Sequence, residues 1–181
     1  ITEQGDPQLG IANTWLRCRS GIWELKYPLE HVSAEGRSTV YGELVGADAV
    51  LNHLVAHGFL EPADGRLPID DLLAAQGFTE LASFGTKRTK SRVYDEGAAL
   101  WLGIDSDEAS YGHLVLEVEG ISSTDSAEIE KTRLSIQALA EALGLTKAGA
   151  DGSAARGKLE EYLFRHQGNG ILDRLMRAGV M

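Results

Sequence analysis

Charge that alternates with apolar residues at a period of two most limits what this chain can become. Trp15, Arg17 and Arg19 alternate with Leu16 and Cys18. After Ser20-Gly21, Glu24 and Lys26 alternate with Trp23, Leu25 and Tyr27. Side chains two apart in a strand share a face, so this stretch predicts a hairpin with one charged and one apolar side. Ser38 to Val45 predicts a further strand with Tyr41 and Glu43 on one face. Leu81 to Arg88, Ser91 to Asp95, Leu100 to Asp105 and Tyr111 to Gly120 predict four more. In the last of these, Leu114, Leu116 and Val118 oppose His113, Val115, Glu117 and Glu119.

Helical periodicity flanks the strands. Ala47 to His57 and Leu67 to Gln76 each predict a helix, the second with Pro68 in its first turn. Thr124 to Leu143 predicts a longer one, capped by Thr124 or Ser126, with Ile129, Ile136, Leu139 and Leu143 on one side. Lys147 to Gly157 reads as a loop, followed by closing helices over Lys158 to His166 and Ile171 to Arg177. Short turns between strands favour antiparallel pairing, so the expected class is α+β.

Composition narrows the function classes. The 181 residues fit a single domain. A formal net charge of -10 weighs against a non-specific nucleic-acid binder and against a polybasic membrane anchor. No apolar run approaches the ~20 residues of a membrane span. The single cysteine, Cys18, excludes an internal disulfide and predicts a reducing, cytoplasmic location. In its strand Cys18 faces away from the arginines, so it is expected in the core.

The charged faces admit two readings. One is a wet face on a one-sided sheet. The other is a closed antiparallel β-barrel with a polar interior and flanking helices. In the second, arginines and lysines would suit a polyphosphate, and carboxylates the divalent cation that travels with it.

Several segments resemble a known family in the right order along almost the whole chain. Trp15-Leu16-Arg17-Cys18-Arg19 with Trp23-Glu24-Leu25-Lys26-Tyr27-Pro28 is similar to the paired strands of the CYTH domain, the triphosphate tunnel metalloenzymes. Tyr41-Gly42-Glu43-Leu44 resembles the next motif, and Ala82-Ser83-Phe84-Gly85-Thr86-Lys87-Arg88 the strand bearing another phosphate-binding arginine. Ile104-Asp105-Ser106-Asp107, Tyr111-Gly112 and Glu117-Val118-Glu119 resemble the acidic metal-binding strands. Gly157-Lys158-Leu159 and Tyr162-Leu163 resemble the final helix with its lysine. Within the family the likeness is strongest to the thiamine triphosphatases.

The resemblance implies a closed tunnel of antiparallel strands holding a small-molecule triphosphate, in a monomer. Arg17, Arg19, Lys26, Arg88 and Lys158 would bind the phosphates, and Trp15 would stack on a thiazolium ring. Glu43, Asp105, Glu117 and Glu119 would hold Mg²⁺, with Mn²⁺ as an alternative. Lys26 would also take part in catalysis, with water as the nucleophile attacking the terminal phosphate. The family's first strand, Glu-x-Glu-x-Lys, has no match here, so the chain is expected to be an N-terminally incomplete CYTH-like domain over residues 1–181. Inorganic tripolyphosphate hydrolysis and non-catalytic polyphosphate binding are the alternatives, with a cyclase a weaker one.

Neighbouring residues carry plainer readings. Glu24 reads as a cross-strand salt-bridge partner, Asp107 as a turn residue and Lys87 as exposed. Arg92 is a further phosphate candidate. Among the histidines only His113, on the Glu117 face, merits a test.

Overall fold

The computed structural model describes residues 2–3, 7–29, 40–62, 67–145, 156–166 and 170–181. The chain divides into two compact units, Ile1–Ser83 with Leu163–Met181, and Phe84–Tyr162. The expected loop over Lys147 to Gly157 falls mostly outside the described residues, as do Ser38 and Thr39 of the expected third strand.

In the first unit, β1 (Thr2–Glu3) pairs with β5 (Thr79–Glu80), and α1 (Gln8–Ile11) precedes a three-stranded antiparallel sheet. That sheet consists of β2 (Trp15–Arg19), β3 (Ile22–Pro28) and β4 (Tyr41–Val45), in that order. Ser20 and Gly21, with φ of 50° and 79°, form the two-residue turn whose left-handed backbone matches strand twist. The apolar face carries Leu16 and Leu25, both fully buried. Against them pack Val50 and Leu54 of α2 (Ala47–Ala56) and Leu72 and Leu73 of α3 (Ile69–Ala75). Pro68 lies at the N-cap of α3, so it removes no helical hydrogen bond. Gly42 is needed because a Cβ there would meet the Tyr27 ring at 2.3 Å. Helix α6 (Ile171–Arg177) packs on α1 and buries Leu175.

The second unit is an antiparallel meander of β6 (Thr86–Asp95), β7 (Leu100–Ala109) and β8 (His113–Gly120), followed by α4 (Ser126–Ala142). The unit boundary falls within α5 (Lys158–Arg165). Helix α4 buries Ile129, Thr132 and Ser135 against β7 and β8. Leu143, expected on that face, is instead 48% exposed beyond the helix end. Asp125 caps α4, accepting from the N–H groups of Ala127 (3.0 Å) and Glu128 (3.2 Å), so neither Thr124 nor Ser126 does.

The expected closed barrel is not what forms. Among the described residues the strands pair into three sheets of two, three and three, and none closes on itself. A barrel needs every strand flanked on both sides. Outside the two larger sheets, the strand segments among the described residues are the two-residue β1 and β5, which pair with each other. The antiparallel α+β class does hold. The segment expected as two strands, Leu81 to Arg88 and Ser91 to Asp95, is instead one ten-residue strand starting at Thr86. Its unbroken ladder with β7 carries the polar Thr89-Lys90 pair that interrupts the sequence pattern. Cys18 is exposed, not core: it sits one residue pair from the hairpin turn, past the cover of Leu16 and Leu25. Among the described residues no helix is long and apolar enough to cross a membrane.

A Cβ at Gly120 would stand 2.4 Å from the Thr132 Cγ2 and 3.1 Å from the Leu102 Cδ2, both in the buried seam under α4. Gly120→Ala is therefore expected to destabilise by about 1–3 kcal/mol in urea unfolding. Thr132→Ser, which removes that methyl, should recover part of the loss in the double variant. An unchanged midpoint in Gly120→Ala would refute this packing.

Candidate functional site

The register of β6, β7 and β8 sorts their residues onto two faces. Arg88 stands opposite Asp107, and Lys90 opposite Asp105. Asp105 in turn stands opposite Glu117. One face therefore gathers Arg88, Lys90, Asp105, Asp107 and Glu117, while Leu102, Leu114 and Leu116 take the other. Asp105 is 2% exposed and Asp107 0%. Burying carboxylates this deeply costs several kcal/mol per ion unless cations and hydrogen bonds compensate them.

Arg88 provides that compensation. Its Nε donates to Asp107 Oδ1 at 2.7 Å and its Nη2 to Asp107 Oδ2 at 2.6 Å, a two-atom fork. Nη1 donates to Asp105, and Nη2 also reaches Glu117 Oε2 at 3.3 Å. The Lys158 ammonium donates to Asp107 Oδ2 at 2.7 Å and Glu117 Oε1 at 2.5 Å. Lys90 stands at the rim, 3.8 Å from Asp105. The Arg88 hydrogen bonds, with Lys158 beside them, outweigh burial and hold the Asp107 carboxyl at about 2, below its ordinary 3.8. The same Asp107 bonds, with the neighbouring negative charge, push Arg88 upward.

Lys158 is aimed from behind. It is the first residue of α5, and its backbone carbonyl accepts from the Tyr111 hydroxyl. The ring of Tyr111 meets Phe84 and Tyr162 edge-on, at centroid distances of 5.3 and 5.6 Å. His113 Nε2 lies 3.0 Å from the Arg156 carbonyl; because a carbonyl only accepts, that nitrogen carries the hydrogen. The one histidine singled out by its strand position thus anchors the approach to α5.

The first unit carries a charged face of its own. Trp15, Arg17 and Arg19 lie beside Glu24 and Lys26, which lie beside Glu43. Arg17 Nε donates to Glu24 Oε2 at 2.5 Å, and Arg19 comes within 3.8 Å of the same oxygen. Glu24 is thus the cross-strand partner its position implied. Lys26 bonds Glu43 at 2.7 Å, which draws the Glu43 carboxyl below its ordinary range. The Trp15 indole N–H donates to Asn13 Oδ1 at 3.0 Å, and the Tyr41 hydroxyl donates to the same oxygen at 2.8 Å. Asn13 has no marker in the sequence pattern; its φ of 52° is of the kind Asn tolerates.

Of the expected ligands, Asp105 meets Arg88 directly, and Glu117 meets both Arg88 and Lys158. Glu119 lies two pairs further along β8, opposite Gly103, and outside that cluster. Glu43 belongs to the first unit's face. Asp107 is not a turn residue: it sits mid-strand, fully buried, at the centre of the cluster. Its signal was the i, i+2 spacing from Asp105. Lys87 is exposed, as its position on the opposite face implies. Arg92 is on the Arg88 face and exposed.

The donor chemistry of Asp105, Asp107 and Glu117 fits a hard divalent cation, which prefers oxygen. Arg88, Lys158 and, at the rim, Lys90 balance these three carboxylates. Among the described residues no three acidic, histidine or cysteine side chains are drawn together as a metal site. The three carboxylates instead surround the Arg88 guanidinium. Comparison with known protein families and with curated proteins finds no match.

The ion pairs of Asp107 make stability depend on pH in a defined direction. A carboxyl held at about 2 contributes stability above its ordinary value of 3.8, and loses it as pH falls toward 2. The contribution is on the order of 2 kcal/mol. Urea unfolding followed from pH 6 to pH 2 should show this loss, and Asp107→Asn should flatten the profile between pH 4 and pH 2. An equally steep profile in Asp107→Asn would assign the acid sensitivity elsewhere.

Proposed function

We propose that this protein hydrolyses the terminal phosphate of thiamine triphosphate, giving thiamine diphosphate and phosphate, in a Mg²⁺-dependent reaction. The observation that carries this reading is the Arg88–Lys158 pair set among Asp105, Asp107 and Glu117 on one sheet face. A guanidinium fork bonded to a carboxylate is also the geometry that grips a phosphate. Lys158 adds a compact point charge that suits a terminal phosphoryl group. When phosphate oxygens take over these donors, the carboxylates lose their compensation and become available to a cation. Asp105, Asp107 and Glu117 would then hold Mg²⁺, or Mn²⁺, which polarises phosphoryl oxygens as a Lewis acid.

The chain's own residues supply position and charge. Arg88 and Lys158 fix the phosphate chain and offset charge that builds on the departing diphosphate. Tyr111 keeps Lys158 aimed by holding its carbonyl. The first unit's face, with Arg17, Arg19 and Lys26, has the same chemical make-up and carries the phosphate-binding expectation in its own right. The catalytic part given to Lys26, the metal roles of Glu43 and Glu119, and the thiazolium stacking of Trp15 rest on the resemblance to the triphosphate tunnel family. So do the monomeric state and the cytoplasmic location.

The test is phosphate release from thiamine triphosphate, tripolyphosphate and ATP, each with and without Mg²⁺. Release that requires Mg²⁺ and is fastest with thiamine triphosphate is the expected result. Fastest release from tripolyphosphate would move the protein to an inorganic tripolyphosphatase. Binding without release from any of the three would make it a non-catalytic binder.

Arg88→Met should lower the rate by at least about a hundredfold, in line with the loss of one oriented charge-stabilising donor. A second variant, Lys158→Gln, guards against misfolding, since Lys158 is only partly buried and Arg88 would still pair Asp107. Full activity in a folded Lys158→Gln protein would remove this face from the reaction.

A further inference from the structure

The face that holds Arg88 continues beyond the ion cluster. Along β6 it runs through Lys90 and Arg92 to Tyr94, and along β7 from Asp107 through Asp105 and Gly103 to Trp101. Tyr94 and Trp101 stand directly opposite each other, with ring centroids 5.1 Å apart and planes at 51°. Both stay open to water, at 46% and 61% exposure. Two large rings in mutual contact but left uncovered form a ready stacking surface.

The neighbours of this pair are charged, and of both signs. Arg92 stands opposite Gly103 on one side, and Glu119 stands opposite it on the other. Gly103 has no side chain to fill the space between them. The Glu119 side chain leans over it, with its Cγ 3.1 Å and its Oε1 3.4 Å from where a Cβ would lie. A carboxylate is therefore held over the sheet next to the aromatic pair, with a guanidinium across from it.

We infer that Tyr94 and Trp101, with Glu119 and Arg92 beside them, form the subsite for a heteroaromatic ring carrying a phosphate chain. The ring stacks on Trp101, and a cationic or amino group on it faces Glu119. The phosphates run along Arg92 and Lys90 toward Arg88. Tyr94 lies six residue steps along the strand from Arg88, roughly 20 Å, which leaves room for a ring and linked phosphates laid end to end. A chain of bare phosphates would use the cations and leave the aromatic pair untouched. This inference rests on the proposed reading of the β6–β8 face as a triphosphate site, and it moves selection of the organic group to Trp101.

The experiment compares Kd by calorimetry for thiamine triphosphate and inorganic tripolyphosphate, alongside phosphate release from each. The proteins are the full chain and its Trp101→Ala, Trp101→Phe and Trp15→Ala variants. Trp101→Ala should weaken thiamine triphosphate about tenfold, within the range for loss of one stacked base, and leave tripolyphosphate unchanged. Trp101→Phe should restore most of that loss. Equal losses on both ligands, no loss on either, or a ring-dependent loss confined to Trp15→Ala would overturn the subsite. Trp101-dependent binding without phosphate release would keep the subsite and sink the hydrolase. Release indifferent to Trp101 would do the reverse, and no binding of thiamine triphosphate by the unaltered protein would sink both.

Discussion

The second unit depends on one guanidinium. Asp105 and Asp107 lie on a strand between two others, where water does not reach them. Without Arg88, Asp107 would keep Lys158 and Asp105 would keep Lys90 at 3.8 Å, and breaking a buried ion pair in this way costs about 3–5 kcal/mol. With Arg88 between them, both carboxylates are bonded. Among the described residues no buried polar side-chain atom is left without a partner. The cost of removing water has been met by geometry, which strand register supplies for Arg88 and helix α5 for Lys158.

That arrangement ties stability to the charges of the cluster. Charges held close together against their own repulsion are stable only in the company of opposite charge. An anion that competes for the cations therefore also frees the carboxylates. The first unit repeats the principle with different residues: Arg17 with Glu24, and Lys26 with Glu43. These pairs are more open to water, so each contributes less than its buried counterpart.

What could be read from the sequence was local. The alternation of Trp15, Arg17 and Arg19 with Leu16 set the hairpin and its two faces, because a period of two is built into strand geometry. The same rule set Arg88 and Lys87 on opposite sides of their strand, whereas the grouping of Asp105 with Glu117 came from the family resemblance. Barrel closure was not readable, because it depends on which distant strands flank the sheets and no alternation encodes that. Asp107 was misplaced because an Asp between Ser106 and Glu108 also fits a turn, and the ladder with Arg88 shows it within the strand. Cys18 failed for a related reason: alternation gives a residue's side of the sheet but not how far the core extends beneath it. Asn13, which holds both Trp15 and Tyr41, bonds across a separation of 28 residues in one case, beyond any local pattern.

Sequence separation also orders the assembly of the ion cluster. Arg88 lies 19 residues from Asp107, and a single hairpin brings them together. Lys158 lies 51 residues from it and arrives only when α5 docks. Closing the longer loop adds little entropy, since that cost grows only logarithmically with length. Placing an ammonium in the first turn of a helix opposes the positive end of its dipole. The carboxylates of Asp107 and Glu117 offset this by drawing Lys158 inward. The meander should therefore collapse first with a residual negative charge, and α5 should then close onto it under electrostatic attraction. Added salt would slow that last step of folding more than it slows the first.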